Sequence, residues 1–126
     1  MKGPVGAVFF VVALAGPAMA DRVDPFLGIW RNPAPSAGDV ARLEIASPSY
    51  VSAKVHGWGQ PDVDWGVNGA VMMGDTLVAD YETPTHYIEI TLQPPAAGEM
   101  VYDLQLRLKS TMRTAGVLHG TLTRAP

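Results

Sequence analysis

The chain has 126 residues and no cysteine, and its 9 Lys and Arg residues against 12 Asp and Glu give it a formal net charge of −3. Without cysteine it can form no disulfide, no thiolate nucleophile and no cysteine-ligated zinc site. A mildly acidic chain also has little to offer a phosphate backbone, so the composition argues against nucleic-acid binding.

The first twenty residues have the three parts of a secretory signal. Lys2 supplies a positive charge, an apolar run covers 5–15, and Ala-Met-Ala at 18–20 is a small-x-small cleavage site. The apolar run is too short to span a membrane as a helix, and no later stretch is long enough. We therefore predict a signal peptide over 1–20 and one domain over 21–126, in a protein that is periplasmic or secreted.

The rest of the chain alternates apolar and polar residues with a period of two, between closely spaced Pro and Gly residues. In 86–93, for example, Ile88 and Ile90 share one face and Glu89 points to the other. This alternation is typical of strands with one dry and one wet face, whereas no window carries the stripe of an amphipathic helix. The predicted strands are 26–31, 40–46, 50–57, 64–72, 76–82, 86–93, 100–109 and 116–124.

About eight short strands with short connections predict an all-β fold, a small antiparallel up-and-down barrel, because closing the sheet removes its exposed edges. The residues at its two ends support this closure. Gly28 lets another strand approach closely, and Arg124 has the inward parity of Leu118 and Leu122, where its guanidinium needs an aromatic face such as Trp30. The Gly-x-Trp of the first strand and the basic residue that ends the last resemble lipocalin-like barrels, in which the Trp plugs the closed end and the Arg covers it.

Charge and parity together predict the register of two hairpins. Pairing Leu92 with Tyr102 places Glu89 opposite Gln105, whereas the competing register would oppose it to Asp103 at a cost of a few tenths to about 1 kcal/mol.

By the same argument, the hairpin formed by the second and third predicted strands should place Glu44 opposite Lys54 rather than Ser52. That pairing sets opposite charges on facing positions.

Most of the mature chain also resembles a family of small bacterial exported proteins of lipocalin-like barrel type. The shared pattern is Gly-x-Trp-x-Asn at 28–32, Arg-x-Glu-Ile at 42–45, a Trp-Gly turn at 58–59 and Asp-Trp-Gly at 64–66. The chain departs from that family at 60–63, which is shorter and lacks two cysteines of the family. The resemblance implies the barrel and export, and it brings no established activity.

The densest group of binding side chains lies around one turn and comprises His56, Trp58, Asp62, Asp64 and Trp65. Aromatic faces and carboxylates at a barrel mouth predict a ligand-binding rim. The alternative is a structural hairpin in which both Trp residues cap the barrel and both Asp residues are solvated or cap the turn.

No motif for a nucleophile occurs, and strand parity does not bring His56, His86 and His119 together as a metal site. We predict no catalytic residue, no metal and no cofactor. The favoured function is a monomeric, non-enzymatic binding protein for a small apolar or aromatic molecule. The alternative is a protein-interaction module, such as an inhibitor of an exported hydrolase. A cavity above roughly 300 Å³ lined by apolar residues would favour the first, and a filled barrel with an ordered, protruding loop would favour the second.

Overall fold

The computed structural model describes residues 22–48 and 52–126, and this part of the chain is almost entirely β-structure. The predicted signal peptide and the first residues of the strand predicted at 50–57 lie outside the described residues. A short 3-10 helix covers Asp24–Phe26, and the strands are β1 (Gly28–Arg31), β2 (Val40–Ala46), β3 (Ser52–Gly59), β4 (Val63–Met73), β5 (Thr76–Glu82), β6 (His86–Leu92), β7 (Glu99–Leu108) and β8 (Thr114–Arg124). The described residues include no helix long and apolar enough to cross a membrane.

The strands form a closed antiparallel barrel in which each strand pairs with its neighbours in sequence and β8 returns to β1. This confirms the predicted up-and-down barrel. Because successive strands run in opposite directions, the connections alternate between two ends. The loops 32–39, 60–62, 83–85 and 109–113 surround one end, which we call the mouth. The segment 22–27 crosses the other, which we call the closed end.

Inward-facing apolar side chains fill most of the barrel. Every strand contributes to one core cluster, and its largest fully buried side chains are Trp30, Tyr102, Phe26, Leu43, Leu77, Ile90, Leu92, Met100, Leu104 and Leu122. An eight-stranded barrel is just wide enough for side chains to fill it. The centre of the barrel is therefore a packed core, and any room for a ligand must lie at an end or on the outer wall.

The closed end has the contact between Trp30 and Arg124 that strand parity predicted. Trp30 pairs with Arg124 across the β1–β8 ladder, and the guanidinium carbon lies 4.2 Å from the centre of the indole ring. The guanidinium also donates to the carbonyl oxygens of Leu27 and Pro25, at 2.6 and 3.0 Å. Gly28 has φ = +121°, which glycine adopts without steric cost, and a Cβ there would lie 2.9 Å from Arg124 Nη1, so both the backbone and the packed guanidinium favour glycine.

The β6–β7 register is the predicted one. Leu92 lies opposite Tyr102 and Glu89 lies opposite Gln105, so the apolar residues of both strands share the inner face. Asp103 instead lies opposite His119 of β8, and the His119 Nδ1 is hydrogen-bonded to its carboxylate. The like-charge contact that the register avoids is thus replaced by a favourable one.

The predicted pairing of Glu44 with Lys54 is wrong by two residues, although the faces are right. Glu44 lies opposite His56, and Lys54 lies opposite Ala46. The carboxylate of Glu44 forms its ion pair with Arg42 on its own strand, so it does not need a cation on β3. The observed register also places Arg42 opposite Trp58, with the guanidinium carbon 4.9 Å from the ring centre.

Candidate ligand-binding site

A β-bulge in β4 determines where the predicted site residues point. Gly57 pairs with Gly66, but the next residue of β3, Trp58, pairs with Asp64, so Trp65 is an extra residue in β4. Gly66 has φ = +87°, a conformation that glycine adopts without steric cost and that is common at such bulges. The bulge turns Trp65 inward and leaves Asp64 outward.

The Trp65 indole lies inside the barrel at the mouth, over a floor of two glycines. A Cβ added to Gly59 would lie 2.4 Å from Cζ2 of the ring, so the ring occupies the space that a side chain there would need. A Cβ on Gly57 would meet the same ring at 3.2 Å. On its other side Trp65 contacts Tyr81, with ring centres 5.5 Å apart. The Tyr81 hydroxyl donates to the Val55 carbonyl at 2.6 Å and is thereby fixed in the core.

A cavity of about 200 Å³ opens at the mouth above this ring. Its inner wall is apolar, formed by Trp65, Ile88 and Leu106, and its rim carries polar groups. The lining residues are Gly38, Gly59, Gln60, Val63, Trp65, Thr83, His86, Ile88 and Leu106. They come from four separate parts of the chain, at 38, 59–65, 83–88 and 106, and the closed barrel brings them together.

Trp58 lies on the opposite face of the sheet, outside the barrel. Its ring stacks on His56, with centres 3.7 Å apart and planes at 17°. His56 Nε2 donates to Asp64 Oδ1 at 2.7 Å, and the Gly66 amide donates to the same oxygen at 2.7 Å. The hydrogen bond from His56, and after it the one from Gly66, lower the pKa of Asp64 below its usual range. We call this group the outer stack.

The structure therefore divides the five predicted site residues among three places. Trp65 lines the mouth cavity, while His56, Trp58 and Asp64 form the outer stack. Asp62 is exposed at the tip of the β3–β4 turn with φ = +41°. The two Trp residues thus do not frame one mouth.

One polar network at the mouth was not foreseen from the sequence. Asp39 is only 4% exposed, and both of its carboxylate oxygens accept from the Tyr102 hydroxyl at 2.8 Å. The amides of Val40 and Ser36 also donate to it, and the Asn32 side chain donates to the Tyr102 hydroxyl at 2.9 Å. The network anchors the loop 32–39 to β7, beside the cavity, and satisfies the buried carboxylate.

The mouth cavity combines an apolar wall with few side chains that can ionise. His86 is the one titratable side chain in the lining, and its Nδ1 is hydrogen-bonded to Thr85 Oγ1 at 2.7 Å. Among residues 22–48 and 52–126, no group of three or more His, Asp or Glu side chains is placed to hold a metal ion. An apolar pocket with a few polar groups at its rim is the usual form of a small-molecule site.

The fold and the mouth together define a small closed β-barrel with a ring-sized apolar cavity at one end. Comparison of the chain with protein-family models, curated proteins and solved structures finds no match in any of the three.

Proposed function

We propose that the protein is an exported, non-enzymatic binding protein that takes a small apolar or aromatic molecule into the mouth cavity. The observation that carries the proposal is the Trp65 ring, held on glycines with one side open to a cavity of about 200 Å³. The closed eight-stranded barrel is compatible with a binding role.

The cavity is smaller than the roughly 300 Å³ expected of a small-molecule site, and the barrel centre is packed, so cavity volume does not favour this function over the interaction module. The volume limits any ligand to about one ring. An apolar cavity of about 150 Å³ is enough to hold benzene in another protein. The 200 Å³ here therefore suits a single aromatic ring with a small substituent, or a fused pair such as indole. Long lipids are excluded, because Leu43, Tyr102 and Leu104 fill the barrel below.

The polarity of the rim indicates what the substituent should be. Gln60, Thr83 and His86 offer hydrogen bonds, and the lining contains no carboxylate. A neutral hydroxyl or amine on the ring would meet a donor or an acceptor there. Ring stacking on Trp65 would add about 0.5–1.5 kcal/mol to the free energy gained by burying the apolar area of the ligand.

We expect indole to bind the chain and Leu106→Trp to abolish that binding, because the larger side chain fills the cavity. Val117→Trp, on the outer wall of β8, is the matched control and should bind indole like the wild type. Calorimetric titration, with amide shifts mapped by NMR, measures both. Equal binding to both variants, or shifts confined to the outer stack, would contradict a site at the mouth.

Export stays a prediction from the first twenty residues. When residues 1–126 are expressed in a bacterium with an outer membrane, the product should be recovered from the periplasm or medium. Its first residue should be Asp21, because the small residues at 18–20 define the cleavage site. N-terminal sequencing checks this, and a soluble cytoplasmic product that retains Met1 would be the opposite result.

A further inference from the structure

A groove of about 390 Å³ runs along the outer wall of the barrel, beside the outer stack. Its side chains stand on the outer faces of β1, β2 and β3 and include Ile29, Glu44, Ala46, Lys54 and His56. Glu44 lies between Ile29 and His56 in one row across the sheet, and Ala46 lies opposite Lys54 in the next row. Because Ala46 carries only a methyl group, the wall is low there, and a ligand has room beside the larger side chains of the first row.

One face of the His56 imidazole is covered, and the other is turned to the groove. Trp58 stacks on the first face, with ring centres 3.7 Å apart. Trp58 follows His56 by two positions on β3 and Lys54 precedes it by two, so the second face is directed along the strand towards Lys54. The ring is held in this orientation because Nε2 is hydrogen-bonded to Asp64 at 2.7 Å. The groove thus has a preformed aromatic wall.

Next to this wall stands a cation without a carboxylate partner. Lys54 is exposed, and its direct neighbours on β2 and β4 are Ala46 and Gly69, which cannot pair with an ammonium group. Glu44 lies diagonally across from it and forms its ion pair with Arg42 instead. No ion pair formed within residues 22–48 and 52–126 includes Lys54. An open ring face and an unpaired positive charge therefore border the same space.

We propose that this groove binds a small aromatic carboxylate. The ring of the ligand would stack on the open face of His56 above Ala46, and its carboxylate would pair with the Lys54 ammonium group. An anion is favoured over a cation because Glu44, the one carboxylate of the lining, is already paired. A flat ring is favoured over an aliphatic chain because stacked rings gain energy beyond the area that they bury. The site is independent of the mouth cavity, whose lining contains no Lys or Arg.

Three small probes separate the two parts of the proposal. Benzoate has both the ring and the charge, benzamide lacks the charge, and cyclohexanecarboxylate lacks the flat ring. In NMR titrations of the protein, benzoate should shift the His56 ring protons and the amides of 54–56 in a saturable way. The other two probes should each bind about threefold more weakly or less.

Each probe can contradict one part of the proposal. Equal binding of benzamide would overturn the role of Lys54, and equal binding of cyclohexanecarboxylate would overturn stacking on His56. Benzoate that leaves the signals of 54–56 unchanged, or that shifts only residues of the mouth, would overturn the site itself. Indole binding at the mouth is measured separately, so the failure of either site leaves the other standing.

Variants of the chain locate the anion. Ala46→Glu places a carboxylate directly opposite Lys54, so it occupies both the cation and the low point of the groove and should weaken benzoate binding about tenfold. Lys54→Gln should weaken it about threefold, and Lys54→Arg should restore it. Both positions are exposed, so neither change disturbs the core. Arg113→Gln removes one charge from an exposed loop and is the matched control, which should bind like the wild type. Equal losses in Lys54→Gln and Arg113→Gln would overturn the site, because net charge alone would then attract the anion.

Discussion

Replacing Trp30 with alanine is expected to lower the free energy of unfolding by about 4 kcal/mol, within the range of about 3–5 for deleting a buried aromatic side chain. The ring is 0% exposed, and its Nε1 donates to the Phe26 carbonyl at 2.9 Å. The substitution removes this bond, leaves a cavity and takes away the surface beneath Arg124. A closed sheet can collapse little into such a space, so most of the cost should persist. Chemical denaturation of the purified domain measures it.

Two further substitutions make the result specific to the closed end. Trp58→Ala removes the same side chain from the outer wall, where it is half-buried, and should cost no more than about 1 kcal/mol. Arg124→Ala leaves the indole in place and should cost about 1–2 kcal/mol through the lost cation–π contact and two carbonyl hydrogen bonds. If Trp58→Ala were as costly as Trp30→Ala, the outer stack rather than the closed end would carry the stability.

The second large effect is a loss of stability in alkaline solution. Tyr81 and Tyr102 are 3% and 1% exposed, and burial raises the pKa of both hydroxyls well above the ordinary value near 10. For Tyr102, the hydrogen bond and the charge of Asp39 raise the pKa further. Above about pH 10 the unfolded chain releases protons that the folded chain retains, so stability falls as the pH rises. Each tyrosine should contribute about 1.4 kcal/mol per pH unit in that range.

Urea denaturation at a series of pH values from 8 to about 11.5 checks this sign and slope. The stability contributed by the two hydroxyls should be constant below about pH 9 and decrease above about pH 10. Tyr81→Phe and Tyr102→Phe should each remove about half of the slope, although Tyr102→Phe also starts from a lower stability because Asp39 loses a partner. A slope unchanged in the double variant would show that these hydroxyls do not control the alkaline transition.

The regular parts of the barrel could be predicted from local patterns. Period-two alternation identifies a strand and its buried face without knowledge of the neighbouring strands. The fold and the β6–β7 register therefore follow from the sequence. The contact between Trp30 and Arg124 follows from parity and closure. The β2–β3 register could not be predicted in this way. Glu44 forms its ion pair with Arg42 on its own strand, so its charge carries no information about the facing residue of β3.

The site was harder to predict because a single extra residue reverses the parity of a strand. Counting from Ala70 along an unbroken β4 would point Asp64 inward and Trp65 outward, and the bulge gives the opposite. The sequence feature that indicates the bulge is Trp65-Gly66, in which a large side chain is followed by a glycine that can adopt positive φ. Asp39 shows a second limit, since its partner Tyr102 is 63 positions away and no spacing rule connects them.

The bulge also gives adjacent residues of one strand two different surroundings. Trp65 lines the mouth cavity, whereas Asp64 faces outward and accepts hydrogen bonds from His56 and from the Gly66 amide. In a regular β4 these two side chains would exchange faces, so the indole reaches the mouth because of the bulge. The inserted residue thereby makes the barrel wall aromatic on its inner surface and anionic on its outer surface at neighbouring positions.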